Sequence, residues 1–121
     1  MPSAEEVWTD TTTALRRREG VPAAQAAADL LDRAKTRWDT RVAVRSSMHD
    51  LVFSRLAEQH VRAKLRVRVS WQEGVFEFRL TDPAGPLITA DRSLAGNALV
   101  VLDSFLFQLA GEPAVDRARD G

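Results

Sequence analysis

The chain has no cysteine and no tyrosine, and only two histidines. The first absence removes disulfides, thiolate nucleophiles, thiolate zinc sites and iron–sulfur clusters together. The second removes a phenolic acid or base. No stretch contains the glycine-rich phosphate-binding loops of nucleotide enzymes or a GxSxG nucleophile turn, so the sequence offers no cofactor motif and points away from an enzyme. Long apolar runs are missing as well, since none approaches the ~18 to 20 residues of a membrane span. The acidic opening through Glu5 and Glu6 lacks the apolar core of a secretory signal. These absences together lead to the expectation of a soluble, cytoplasmic protein without a membrane partner or cofactor. A surplus of charge is lacking too: seventeen basic residues balance seventeen acidic ones, so no global field draws the protein to nucleic acid or lipid.

What is present is enough for a core. At 121 residues and 45% hydrophobic content the chain has the size of one ordinary domain, expected to span 1–111, with the polar, unpatterned segment 112–121 read as a disordered tail. Fifteen of the seventeen cations are arginine, and alanine and valine abound, which suits a bacterial genome rich in G and C. Where arginine is the default cation, its presence alone does not signal bidentate recognition.

Ser3 followed three residues later by Glu6 is a capping box, so a first helix should start there and end near Gly20, packing by Trp8 and Leu15. Arg16, Arg17 and Arg18 complement the dipole at its end and call for no ligand. Pro22 opens a second helix, reaching at least Trp38, with the stripe Ala27, Leu30, Leu31, Ala34 and Trp38. The segment 40–45 alternates like a strand but also continues the helical pattern, and helix is favoured. Ser46 and Ser47 then read as a cap for a third helix over 48–59, on the spacing of Met48, Leu51, Val52 and Leu56.

At residue 61 the period changes from helical to two. Val61, Ala63, Leu65, Val67, Val69 and Trp71 alternate with Arg62, Lys64, Arg66, Arg68 and Ser70, and beyond Glu73-Gly74 the residues Phe76, Phe78 and Leu80 alternate with Glu77 and Arg79. A hairpin over 61–81 follows. Because a slip of one residue would send an apolar set to the wrong face, the register is fixed: Trp71 opposite Phe76, Val69 opposite Phe78, Val67 opposite Leu80, Ser70 opposite Glu77 and Arg68 opposite Arg79. Residues 82–86 make a turn, 87–90 can form a third short strand, and Asp91 or Ser93 caps a last helix over 94–110. The fold class is therefore α+β: N-terminal helices, a small antiparallel sheet and a C-terminal helix on its apolar face. Leu65, Val67, Val69, Trp71, Phe76, Phe78, Leu80, Leu102, Phe105 and Leu109 are expected to share one core, since a two- or three-stranded sheet must be covered.

Two surfaces carry functional expectations. On the last helix, Val100 and Phe107 fall on the flank, separated from the main stripe by Asp103; cover by helix one or the third helix is favoured, and the alternative is contact with a second copy or another protein. On the hairpin, Arg62, Lys64, Arg66, Arg68 and Arg79 face two acids, whereas 82–121 carries three arginines against six acids. Cations at strand alternation are spaced by ~6.6 to 6.8 Å, near a phosphate repeat, so nucleic acid is an alternative partner. Stacking aromatics are missing from that face, which favours a solvated charge row that protects the sheet. His49 and His60 would stand ~16 Å apart on one helix, too far to share a metal. Glu58 with His60 is a weak pair for one. The reading that follows is a non-enzymatic interaction or accessory module, acting through Val100 and Phe107 or an open sheet edge and able to form a homodimer.

Overall fold

A computed structural model describes residues 3–58, 65–82 and 87–111. Ser3 caps the first helix α1 (Ala4–Arg16) by accepting from the Glu6 N–H, and Pro22 stands at the start of α2 (Pro22–Trp38), where its missing N–H costs nothing. Five antiparallel strands follow as a simple meander: β1 (Val42–Ser47), β2 (Asp50–Arg55), β3 (Arg66–Gln72), β4 (Val75–Thr81) and β5 (Leu87–Leu94). Helix α3 (Ala98–Ala110) follows β5. The fold is α+β, with helices at both ends of one sheet.

The hairpin register is the one the alternation demands. Val67 pairs with Leu80, Val69 with Phe78, Trp71 with Phe76, Ser70 with Glu77 and Arg68 with Arg79. Glu73 and Gly74 both adopt positive φ, of 55° and 83°, the requirement of the tight turn whose twist matches that of paired strands. Glycine supplies one of these at no steric cost. Of the expected hairpin, residues 61–64, and with them Arg62 and Lys64, lie outside the described residues, as do His60 and the tail 112–121.

Three expectations are corrected. Residues 40–45 do not continue the helix: α2 ends at Trp38, the Arg41 N–H bonds back to the Trp38 carbonyl, and β1 begins at Val42. Nor does a helix occupy 48–59. Met48, at φ 57° and 81% exposed, and His49 form the turn between β1 and β2. Leu51, Val52 and Phe53 are all buried, so the strand is apolar on both faces and shows no alternation. Third, β5 extends past Ala90 to Leu94, and α3 starts at Ala98 after a short 3-10 turn over Ala95–Asn97. Leu94, expected as the first residue of that helix, is a strand residue and 68% exposed.

One face of the sheet carries Val44, Leu51, Phe53, Val67, Val69, Phe76, Phe78 and Leu80 in register. Helices α2 and α3 cover it, and their residues Leu30, Leu31, Trp38, Leu102, Phe105, Leu106 and Leu109 join the same core. The expected core residues belong to this cluster, with Leu65 and Trp71 half-buried at its margin. The Phe78 and Phe105 rings lie 5.6 Å apart, which seats α3 over β4. Asp103 fixes α3 against α2 by accepting from the Trp38 indole N–H at 2.6 Å and pairing with Arg37 at 3.0 Å. The Arg55 guanidinium donates to the Leu109 carbonyl at the far end of α3. Helix α1 packs on α2 and on β1, where the Trp8 indole N–H donates to the buried Val42 carbonyl at 2.9 Å.

Candidate functional site

Strand alternation separates the buried face of the sheet from an outer face, and the pairing register shows how charge is laid out there. Arg45, Val52, Arg68, Arg79 and Ala90 stand opposite one another from β1 to β5. The arginines thus run across the strands, at the ~4.8 Å strand spacing, as well as along β3 through Arg66 and Arg68. Directly opposed like charges repel, and two acids answer them. Asp50 pairs with Arg68 at 2.9 Å, and Glu77 lies between Arg79 at 3.5 Å and Arg92 at 3.2 Å. Glu77 therefore relieves Arg79 and Arg92, while Arg68 is met by Asp50. No aromatic side chain stands on this face among the described strands, because Trp71, Phe76 and Phe78 all belong to the opposite one.

Val100 and Phe107 are 70% and 53% exposed. Neither α1 nor α2 covers them, because Asp103 holds α2 along the neighbouring side of α3 through Trp38 and Arg37. They form a small exposed apolar spot on α3, against the favoured expectation that another helix covers them.

The larger exposed apolar feature is one the sequence concealed. Strand β5 ends the sheet, and no described residue pairs with its outer side. Its burial runs exposed at six of eight positions, and Leu87, Ile88 and Leu94 are 51%, 53% and 68% exposed. A shallow cleft of about 530 Å³ follows this edge, with Arg79, Ala90 and Arg92 on the outer side and Phe78 and Asp91 on the inner. The pairing of β4 with β5 also slips near Leu80 and Thr81, so the strand bulges at its start. The signal that could have found this edge was weak: Leu87 and Ile88 were visible, but Asp91, Arg92 and Ser93 read as a helix start.

A second groove, about 580 Å³, separates α2 from the tip of the β3–β4 hairpin. Leu30, Trp71 and Phe76 line it, and Asp29, Asp32 and Arg33 stand at its rim. Both rim carboxylates bind Arg16, whose guanidinium is held charged even more firmly by Asp32 and then Asp29. Arg33 donates to the Ala95 carbonyl.

Among the described residues the titratable groups do not gather into a catalytic constellation. His49 sits on the β1–β2 turn, where the Arg18 guanidinium approaches its Nδ1 at 2.9 Å and also donates to the Met48 carbonyl. Since arginine only donates, Nδ1 is the acceptor of that contact. Asp39 is the buried acid: burial pushes its carboxyl above the usual carboxylate range, Glu5 adds to the rise, and Lys35 and the Thr40 N–H oppose it. It lies at the end of α2, away from either groove. Among the described residues no three histidine, aspartate or glutamate side chains gather as metal ligands, and no helix is long and apolar enough to cross a membrane. No protein family, curated protein or solved structure matches the chain.

Proposed function

We propose that this chain is a non-enzymatic, cytoplasmic interaction module whose recognition element is the outer edge of β5. The supporting observation is the end strand itself: eight residues long, unpaired among the described residues, and bearing Leu87, Ile88 and Leu94 in the open. An unpaired strand presents a row of N–H and C=O groups at strand spacing, which another extended segment satisfies by joining the sheet, while side chains on alternate positions supply selectivity. Val100 and Phe107 serve as an accessory apolar contact in this reading, because two side chains expose too little area to hold a partner alone.

The test replaces Ile88 and Leu94 with lysine together. Both positions are exposed, so the variant keeps the wild-type thermal transition. Immobilised wild-type protein then retains partner protein from lysate that the variant does not. Equal retention by the two removes the edge from the reading.

Binding of nucleic acid by the outer face is the second reading, favoured by one observation. Arg45, Arg66, Arg68, Arg79 and Arg92 outnumber Asp50 and Glu77 there. Binding of a single-stranded oligonucleotide at low salt, steeply weakened by added salt and abolished by Arg66→Glu with Arg68→Glu and Arg79→Glu, would establish it. No binding at low salt ends it.

A further inference from the structure

The reading of β5 as a docking edge leaves its occupant open. Resting on that reading, we infer that the edge pairs antiparallel with the same edge of a second copy, about a two-fold axis through Ala90. A strand that meets its own copy antiparallel makes a closed, isologous contact, and the two sheets then continue as one ten-stranded sheet.

The side chains select the register. Alternation requires that residues facing each other across the junction lie on the same side of the sheet. That leaves registers centred on Thr89, Ala90, Asp91 or Arg92. Centring on Asp91 sets two carboxylates directly opposite, and centring on Arg92 sets two guanidinium groups opposite. Both are like-charge pairs at closest approach. Centring on Thr89 uses only the first half of β5 and leaves Leu94 uncovered. Centring on Ala90 brings the two small, exposed side chains together at the axis and pairs residues 88–92 in regular alternation, short of the bulge that turns Leu87 to the outer side.

In that register the outer face becomes complementary. The partner's Ile88 lies opposite Arg92, with Ala90 and Leu94 as its diagonal neighbours. Ile88 and Leu94, both exposed in the single chain, therefore cover each other twice over. Arg92 is already turned to Glu77 at 3.2 Å, so its aliphatic stem rather than its charge meets the isoleucine. The partner's Ile88 enters the shallow cleft that Arg79, Ala90 and Arg92 border. On the inner face Asp91 stands opposite the partner's Thr89, a hydroxyl donor for a carboxylate. A single strand pair with these side chains buries less than the roughly 800 Å² per partner of a standard interface, so the dimer forms and dissociates with concentration.

The absence of native cysteine makes the register directly readable. Across an antiparallel pair, opposed Cα atoms lie ~4.5 to 5.5 Å apart, within disulfide reach, whereas two-residue diagonals lie beyond ~7 Å. Purified Ala90→Cys should therefore form an intermolecular disulfide at least about tenfold faster than Thr89→Cys or Asp91→Cys at equal concentration. Charge provides a second reading. Ile88→Lys faces the partner's Arg92 and should weaken self-association about tenfold relative to Ile88→Glu in sedimentation equilibrium, a ratio within reach because the two-fold axis makes the opposed pair twice. Faster linkage at residue 89 or 91 overturns the register. Protein that is monomeric at high micromolar concentration, with no linkage at any of the three positions, overturns the second copy as occupant. The lysate experiment is independent of both, because a β5-dependent partner retained by protein that does not self-associate preserves the docking edge and removes only this inference.

Discussion

The two edges of the sheet are managed differently. At the β1 edge, α1 lies against the strand, Trp8 is fully buried and donates to the Val42 carbonyl, and the ring of Trp8 stands 5.8 Å from that of Phe53. At the β5 edge nothing described covers the strand, and three apolar side chains face outward. The difference lies in where the helices are spent. Two helices precede β1, and α1 closes the first edge, whereas among the described residues α3 alone follows β5, and its apolar stripe packs on Phe78 and the inner face. The difference teaches that an edge is closed by whichever helix the chain lays beside it, and that β5 is left with its backbone groups open among the described residues. Elsewhere β5 carries the usual guards against indiscriminate pairing, a bulge at its start and the charges of Asp91 and Arg92.

The comparison can be broken most forcefully at the closed edge. Trp8→Ala empties a fully buried site and should cost about 3 to 5 kcal/mol in urea unfolding. Trp8→Phe keeps most of the packing but leaves the buried Val42 carbonyl without its donor, for a loss of about 1 to 3 kcal/mol. Removing Asp103, the anchor of α3 against Trp38 and Arg37, should cost a similar or slightly smaller amount, about 1 to 2 kcal/mol, and loosen the helix seated over β4 without touching β1. At the open edge the same measurement should barely respond: Ile88→Lys with Leu94→Lys stays within about 0.5 kcal/mol of wild type, because neither side chain is buried in the single chain. A large loss there would mean that the edge is part of the core and the contrast between the two edges is mistaken.

The smallest effect concerns Asp39, between α2 and β1. Its carboxyl is raised by burial and by Glu5, so the folded state binds its proton more tightly than the unfolded chain does. The ionised group therefore opposes folding at neutral pH. Asp39→Asn should stabilise the protein there, and the gain over wild type should close as pH falls from the raised folded value to the ordinary carboxylate range. A gain that persisted at low pH would place the effect in packing rather than charge.

How much of this was legible varies from strand to strand for physical reasons. The β3–β4 register could be read in full because one side of each strand is buried and the other wet, so polarity alternates and only one pairing joins the apolar sets. Strand β2 was hidden because Leu51, Val52 and Phe53 are buried on both faces, and three adjacent apolar residues flanked by Met48 and Leu56 mimic helical spacing. Its turn was hidden too, since Met48 takes positive φ without being glycine or asparagine. In the second half of β5 the one buried side chain, Ser93, is polar while Leu94 is exposed, so polarity did not mark the buried side, and Leu94 borrowed the spacing of the helix beyond. For the candidate surfaces, Val100 and Phe107 were found from the helical angle alone, whereas the β5 edge required knowing which strand comes last.

What the sequence determined by itself is what local chemistry can encode: the Ser3 cap, the Pro22 start, the alternation that fixes one hairpin, and the absence of thiol chemistry. These depend on neighbours within a few residues. Tertiary structure decided the number of strands, the pairing of Arg68 with Asp50 and of Glu77 with Arg79 and Arg92, and the unequal treatment of the two edges. Those depend on which distant segments share a face, and a strand's edge is closed or open only by virtue of what the rest of the chain lays against it.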